Sequence, residues 1–262
     1  MKLAFLLDDT ALSGQTRALL IYADALIERG DRVRIVTTGA PVTWRSSRAE
    51  WVYVDAFVQY DSADDDRVVV MSDTRLPLVV DEELFQPRTV REHEPLRILL
   101  CGSWHVERHG IADGYGAVAH ARWFHQKVDL IRVSPWAPSR EEPLEAVQEF
   151  HVGLTTAEMT RLMRSCDVLI APNRREDDFP LPAAEGLATG LACVMTAIPL
   201  FGSFDQRRDY ALFAPEDNAV ELGERLIELV SNWDLRERLR TRGREVAEQW
   251  RVERAVEKLL QK

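Results

Sequence analysis

The sequence lacks the features that mark several classes of protein. It has only three cysteines in 262 residues, Cys101, Cys166 and Cys193, which stand far apart within apolar runs. Such a pattern excludes a small disulfide-stapled domain and predicts buried, reduced thiols. There is no internal repeat, low-complexity tract or segment rich in glycine and serine, so a repeat architecture is excluded as well.

An excess of positive charge is also lacking. The chain has 33 Lys and Arg against 43 Asp and Glu, a net charge of −10. Proteins that bind nucleic acids usually carry a basic surface, so nucleic acid is not expected as a main partner. The start, MKLAFLLDD, has one lysine and a short apolar run that aspartates interrupt. It predicts a strand, not a signal peptide or stable membrane insertion, and hence a cytoplasmic protein.

Short apolar runs alternate along the chain with segments of helical periodicity. The first three elements predict a βαβ unit, with strands at 2–7 and 32–38 around a helix at 16–29. Such a unit implies parallel strands with a right-handed crossover. Further strands are predicted at 51–57, 66–72, 96–102 and 128–136, and a helix at 111–124. The pattern therefore indicates an α/β fold.

The segment at 169–199 is the most informative part of the sequence. An apolar strand at 167–171 ends in an acidic loop, and a helix of small residues then stops at Gly190. Asp177 and Glu185, eight positions apart, stand at this strand-to-helix junction. Carboxylates can accept hydrogen bonds from vicinal hydroxyl groups, and the amides of a helix N-terminus favour an anion such as a diphosphate. The junction predicts a site for a nucleotide joined to a sugar.

This junction resembles the Glu-x7-Glu motif of the retaining glycosyltransferases of family 4, which have the GT-B fold. Asp177 replaces the first glutamate of the motif, and Asp178 and Pro180 replace two glycines. The matching positions are Phe179, Leu181, Pro182, Glu185 and Gly190. The resemblance covers residues 95–262 and, more weakly, residues 1–40.

The resemblance implies a GT-B-like fold of two Rossmann-like parallel-sheet domains, the N-terminal one reduced. Residues 74–88 resemble the family's interdomain linker, which places an acceptor-side domain at 1–88 and a nucleotide-sugar-binding domain at 89–262. We expect the last helix to cross back to the first domain. The linker comes early, and the middle strands that usually carry a donor-facing histidine are missing, since no histidine precedes His93.

The resemblance also implies roles for particular residues. Glu185 would hold the ribose hydroxyls and Asp177 would reach the hydroxyls of the sugar, so these two are the predicted catalytic carboxylates. The arginine and lysine that clamp the diphosphate in the family are replaced by Ser103 and His109, and Arg108 is expected to supply the missing charge. The other predicted donor-binding residues are Ser13, Gly14, Gly110, His151, Gly153, Asp178, Phe179 and Leu181.

Structural interpretations of several of these residues stay open. Ser13 and Gly14 fit a helix cap as well as a ligand loop, and Arg108 and His109 fit a plain polar loop. His151 and Gly153 fit the end of a core strand as well as a base-binding edge. A metal site at His105 and His109 would need a third ligand that the spacing does not offer, so no metal is predicted. A hydrolytic pair formed by Asp177 and Glu185 fits the motif less well.

Three classes of function follow. The resemblance implies transfer, with retention, from a UDP- or GDP-type nucleotide sugar to a sugar, lipid-linked sugar or natural product. Same-face attack of that kind uses no protein nucleophile, metal or cofactor. The alternative is a non-catalytic nucleotide-sugar-binding module that works with a partner chain, which the short N-terminal half, Ser103 and His109 favour. A nucleotide-sugar epimerase or a phosphorylase is third. The sequence leaves the donor, the acceptor and a homo- or hetero-oligomeric state open.

Overall fold

The computed structural model describes residues 1–10, 13–40, 42, 45–72, 76–87, 92–124, 126–174 and 180–261. The chain divides into two compact units. The first unit combines Met1–Asp81 with Gln249–Lys262, and the second comprises Glu82–Glu248. Each unit contains one parallel sheet, which confirms the predicted α/β fold.

The first unit is built on a sheet of four parallel strands in the order β3-β2-β1-β4. The apolar run of β1 is buried between its neighbours, and helix α1 turns its buried side chains, which include Leu19 and Leu26, towards the core. Helix α8, from the end of the chain, packs against α1. The elements, numbered in chain order, are β1 (Lys2–Leu7), α1 (Gly14–Glu28), β2 (Arg32–Thr37), β3 (Glu50–Tyr53), β4 (Arg67–Val70) and α8 (Val252–Gln261).

The second unit has six parallel strands in the order β10-β9-β8-β5-β6-β7. The strands are β5 (Leu96–Cys101), β6 (Val128–Ser134), β7 (Glu149–Val152), β8 (Val168–Ala171), β9 (Ala192–Thr196) and β10 (Leu212–Ala214). The helices are α2 (Ile111–Trp123), α3 (Thr156–Arg164), α4 (Leu181–Thr189), α5 (Pro199–Phe204), α6 (Ala219–Ser231) and α7 (Trp233–Ala247).

The strand order of the second unit fixes where a ligand would bind. The chain runs outward from β5 through β6 to β7, then returns to the other side of β5 and continues through β8 to β10. This is the order of doubly wound nucleotide-binding sheets, in which the connections leave the two central strands in opposite directions. The resulting crevice lies at the carboxyl ends of β5 and β8.

Three predicted strands are shorter in the structure, and that expected at 66–72 is Arg67–Val70. The strand expected at 51–57 is Glu50–Tyr53, and a single 3-10 turn follows at Phe57–Gln59. The strand expected at 128–136 ends at Ser134. Its end follows from Pro135, which has no N–H to donate to a ladder, and from the N–H of Trp136, which donates to Ser134 Oγ at 3.2 Å.

The central strands are buried on both faces, as parallel sheets with helices on each side require. Every residue of β8 and β9 is buried, which explains their continuous apolar runs. Cys166 and Cys193 are buried in this core and form no disulfide, and burial raises the pKa of Cys166 to about 12. The predicted burial of the thiols is confirmed for these two, whereas Cys101 is partly exposed. Among the described residues, no helix combines the length and apolarity needed to cross a bilayer.

A buried ion cluster ties the segment before β5 to helix α7. Glu92 accepts hydrogen bonds from Arg236 Nη2 at 2.6 Å and Arg236 Nε at 2.7 Å, and Arg240 Nη1 lies 2.8 Å away. Both arginines are buried. Burial acts to raise the pKa of Glu92, but the two guanidinium groups outweigh it and hold that pKa below its usual value.

We expect Glu92→Gln to lower the free energy of unfolding by about 3 kcal/mol at neutral pH, because buried Arg236 loses its carboxylate partner and buried Arg240, which also pairs with Glu237, loses one of two. Since the pKa is depressed in the folded state, the stabilisation is present above the unfolded carboxyl pKa of about 4.3 and is lost as the pH falls through the folded value. Urea denaturation across this range should therefore show the variant and wild type converging in acid. Glu228→Gln, which removes an exposed partner of Arg225, is the control. A difference in the free energy of unfolding between Glu92→Gln and wild type that stayed constant at all pH values would contradict the prediction.

Candidate functional site

Two loops meet in backbone contact at the carboxyl ends of β5 and β8. Gly110 has a φ of 62°, and a Cβ at that position would lie 1.8 Å from Pro172 O. The N–H of Arg174 donates to Arg108 O at 2.8 Å. The loop from β5 to α2 and the segment after β8 therefore form one rigid junction at the predicted crevice, and only glycine fits at 110.

Ser103 and His109, which the sequence interpretation placed at the diphosphate, bond to each other. The N–H of Ser103 donates to His109 Nδ1 at 2.9 Å, and the hydroxyl of buried Ser103 accepts from the N–H of His105 at 3.2 Å. Because Nδ1 accepts this bond, the imidazole is assigned as neutral, with its proton on Nε2. Ser103 therefore stabilises the loop and orients His109, and its own side chain is turned inward.

The N-terminus of α2 opens at this junction. Gly110 is its N-cap residue and makes no side-chain capping bond to the first turn. The amides of such a turn, together with the helix dipole, favour an anion. Arg108 is exposed one turn before the helix, so the predicted grouping of Arg108, His109 and Gly110 is present at one helix N-terminus.

Arg174 is a charged residue of this junction that the sequence interpretation missed. Its guanidinium contacts three carboxylates: Glu107 at 2.8 Å, Asp217 at 3.0 Å and Asp113 at 3.5 Å. These acids offset its positive charge and reduce the potential available to a diphosphate. Its place within three residues of the end of β8 was the signal in the sequence, because polar residues there reach the carboxyl edge of the sheet.

Glu185 lies in the interior of the second unit. It stands on α4, its residue surface is 1% exposed, and its carbonyl accepts from Thr189 Oγ1 at 2.8 Å. At this exposure the carboxylate is not accessible to a ribose, so its donor role stays a prediction. Leu181 is fully buried and has a packing role. Asp177, Asp178 and Phe179 lie outside the described residues.

His151 and Gly153 lie at the carboxyl end of β7, two strands from β5. His151 Nε2 is 3.1 Å from Glu149 Oε2, and Glu149 also accepts from Arg97 Nη1 at 2.6 Å. The bond from Arg97 is the main cause that lowers the pKa of Glu149. The imidazole is thus engaged along its own strand, whereas Gly153, with φ 59°, bonds through its N–H to Ser134 O at 2.9 Å.

Ser13 and Gly14 belong to the first unit. Ser13 is the N-cap of α1, and its hydroxyl accepts from the N–H of Thr16 at 3.1 Å. Gly14 is the first residue of that helix. The structure therefore shows the helix cap that the sequence had left open as one interpretation of Ser13 and Gly14. Contact of these residues with a ligand stays a prediction.

Gly110→Ala should destabilise the second unit strongly, because the new methyl group would collide with a backbone oxygen that cannot move independently. We expect a loss of about 3 kcal/mol or more in the free energy of unfolding, measured by urea denaturation. Gly153→Ala is the matched control, since its φ is also positive but its Cβ would lie 3.7 Å from Pro135 O. That variant should lose only about 1 kcal/mol from backbone strain. Equal losses in the two variants would refute the close-approach argument.

Comparisons with known proteins give a family match over part of the chain and a shared fold over nearly all of it. Residues 137–246 match the family model "Glycosyl transferases group 1". An uncharacterised glycosyltransferase of Methanocaldococcus jannaschii is 30% identical over 99 residues, which is 38% of this chain and 28% of that protein. The chain thus spans little more than a quarter of that relative.

Solved glycosyltransferase structures share the fold at low identity. The crystal structure of WaaG, a glycosyltransferase involved in lipopolysaccharide biosynthesis, superposes with a TM-score of 0.73 at 17% identity and 98% coverage of both chains. A glycosyltransferase from Rickettsia africae has a TM-score of 0.69 at 13% identity, covering 99% of this chain and 97% of that one. The chain therefore has a GT-B-like fold of two Rossmann-like parallel-sheet units, and its residues 137–246 match the group 1 glycosyltransferases.

Proposed function

We propose that this protein is a glycosyltransferase that moves a sugar from a nucleotide-diphosphate sugar, of the UDP or GDP type, to an acceptor. The observation that carries the proposal is the junction at the carboxyl ends of β5 and β8. The N-terminus of α2, the loop that carries Arg108 and His109, and the segment after β8 that leads to the helix of Glu185 meet there. The group 1 glycosyltransferase match, over residues 137–246, includes β8 and the helix that carries Glu185.

The diphosphate would bind at the N-terminus of α2. The amides of its first turn, exposed Arg108 and the imidazole of His109 would surround the diphosphate. Negative charge develops on the leaving diphosphate during transfer, so donors already fixed around it stabilise the transition state more than the ground state. The bond from the Ser103 N–H orients the imidazole for this task.

The carboxylates would bind the rest of the donor. Glu185 holds the ribose hydroxyls and Asp177 the sugar hydroxyls, through charge-assisted hydrogen bonds. The resemblance to family 4 supports transfer with retention by same-face attack, in which no residue of the chain acts as a nucleophile. This assignment requires the buried carboxylate of Glu185 to become accessible when the donor binds.

A second candidate function is a non-catalytic module that binds the nucleotide sugar. Ser103 is turned inward, His109 is neutral, and Arg174 is surrounded by three carboxylates, all of which weaken the attraction for a diphosphate. Among the described residues, the sheet of the first unit has four strands against six in the second, which limits the surface for an acceptor. These observations favour a chain that binds a donor but needs a partner for transfer.

UDP or GDP should raise the melting temperature of the wild-type protein, because a ligand of the folded state stabilises it by about 2.7 kcal/mol at a concentration of 100 Kd. Glu185→Gln keeps the volume of the side chain but removes its charge, so the dissociation constant should rise about tenfold or more. Thermal melts and calorimetric titration measure both effects.

Glu228→Gln, on the exposed face of α6, is the control for the loss of one negative charge in the same unit. If no nucleotide shifts the wild-type melting temperature, the proposed function is wrong. If Glu185→Gln binds UDP or GDP as tightly as the wild type does, Glu185 does not hold the ribose. The nucleotide then binds elsewhere along the carboxyl edge of the sheet of the second unit.

Product formation separates the two candidate functions. An active enzyme should release UDP or GDP from its nucleotide sugar faster when a suitable acceptor is present, and NMR of the product should show that the anomeric configuration is retained. A protein that binds the donor with micromolar affinity yet forms no product with sugar, lipid-linked sugar or small-molecule acceptors would instead be the binding module.

A further inference from the structure

A buried ion pair lies behind the loop from β5 to α2. Arg132, on β6, is completely buried and donates from Nε to Glu142 Oε1 at 2.8 Å. Glu142 is buried as well and belongs to the connection from β6 to β7, which contains the 3-10 turn Leu144–Ala146. Burying two opposite charges is often no more stabilising than burying apolar side chains of the same size. The groups that the pair contacts are therefore the guide to its role.

The guanidinium group of Arg132 holds the start of the loop from β5 to α2. Its Nη1 donates to Leu100 O, near the end of β5, at 3.3 Å and also donates to Val133 O. The same carbonyl oxygen of Val133 accepts the N–H of Gly102, the first residue of the loop, at 3.0 Å. Arg132 thus fixes the point at which the chain leaves the sheet.

The carboxylate of Glu142 holds helix α2. Its Oε1 accepts a hydrogen bond from the hydroxyl of Tyr115, on α2, at 3.0 Å. The ring of Tyr115 meets the ring of Trp104, in the loop after β5, edge to face, with 5.8 Å between the centroids. Burial raises the pKa of Tyr115 above its usual value, and the negative charge of Glu142 adds to the rise. The hydroxyl therefore keeps the proton that it donates.

These bonds bear on the proposed diphosphate site because they fix its two parts relative to each other. The amides and the dipole of a helix attract an anion only where the N-terminus points at it. Arg108 and His109 stand on the loop, whereas the amides belong to α2. Donors that are already fixed lose little freedom when a ligand binds, so their orientation in the free protein affects the affinity.

We infer that Arg132, Glu142 and Tyr115 form a positioning network for the diphosphate, in which Glu142 orients α2 and Arg132 orients the loop. All three residues are buried, so they act through the groups that they hold and not by touching the ligand. The inference rests on the proposed function and extends it, since it names residues that set the strength of diphosphate binding from outside the site.

Tyr115→Phe removes the hydroxyl that bonds to Glu142 and keeps the ring that packs against Trp104. The dissociation constant of inorganic pyrophosphate, measured by isothermal calorimetry, should rise about tenfold because α2 loses its fixed orientation. Tyr22→Phe is the matched control, since Tyr22 is a buried tyrosine of the first unit whose hydroxyl donates to Pro77 O, also at 3.0 Å. That variant should bind pyrophosphate as the wild type does.

Two further variants separate positioning from stability. Glu142→Gln keeps an oxygen that can accept both bonds but leaves Arg132 without a counter-charge. It should unfold at a lower urea concentration and still bind pyrophosphate within about twofold of wild type. The combination of Arg132→Met, Glu142→Leu and Tyr115→Phe replaces the network with apolar side chains. It should keep the wild-type urea midpoint but bind pyrophosphate about tenfold more weakly.

The outcomes distinguish the inference from the proposed function. If the wild type binds pyrophosphate and UDP or GDP, and both Tyr115→Phe and the triple variant bind them equally well, the network has only a structural role. The inference is then wrong while the proposed function stands. If the wild type binds none of these ligands, both are wrong. If Tyr22→Phe weakens pyrophosphate binding as much as Tyr115→Phe does, the effect is not specific to the network, and the inference is overturned.

Discussion

The arrangement of the candidate site depends on one close approach between backbones, that of Gly110 to Pro172. Without a Cβ at residue 110, the loop after β5 can lie directly against the segment after β8, and α2 can begin at that point. The hydrogen bond between Arg174 and Arg108 then closes the same junction. The connections that follow β5 and β8 leave the centre of the sheet in opposite directions. Because of the contact between Gly110 and Pro172, the loops after these two strands form a single surface instead of two separate ones.

Buried charge in the second unit follows a consistent rule. The Glu92 cluster joins segments far apart in sequence, whereas the Arg132–Glu142 pair holds the connection that follows β6. Each matches a buried guanidinium with a carboxylate, as burial of charge requires. At the carboxyl edge the balance is different. Three acids compete for Arg174, while Arg108 extends into solvent. The interior charges hold strands and helices in place, and the charges at the edge are those that a ligand could rearrange.

The sequence predicted the elements better than it predicted the site. Short continuous apolar runs, separated by helical segments, indicate parallel strands. A strand that is buried on both faces, such as β8, has no polar position to interrupt the run. The strand order could not be read from such runs, since β5 and β8 become neighbours only through the return of the chain. Glu185 was placed correctly on a helix. The small residues of that helix do not show which of its faces packs against the rest of the unit, so the burial of Glu185 was not predicted. The bond between Ser103 and His109 depends on loop geometry that no periodicity encodes.

The division of the chain has a consequence for the order of folding. The second unit is one continuous stretch of sequence, whereas the first unit needs both ends of the chain: Val80 forms a parallel bridge with Arg251, and α8 covers α1. On a ribosome the usual order, in which the N-terminal part matures first, is therefore reversed. Residues 1–81 stay incompletely covered until the segment from residue 249 onward has emerged. During that time their apolar surface is exposed, and the risk of aggregation or proteolysis is greatest.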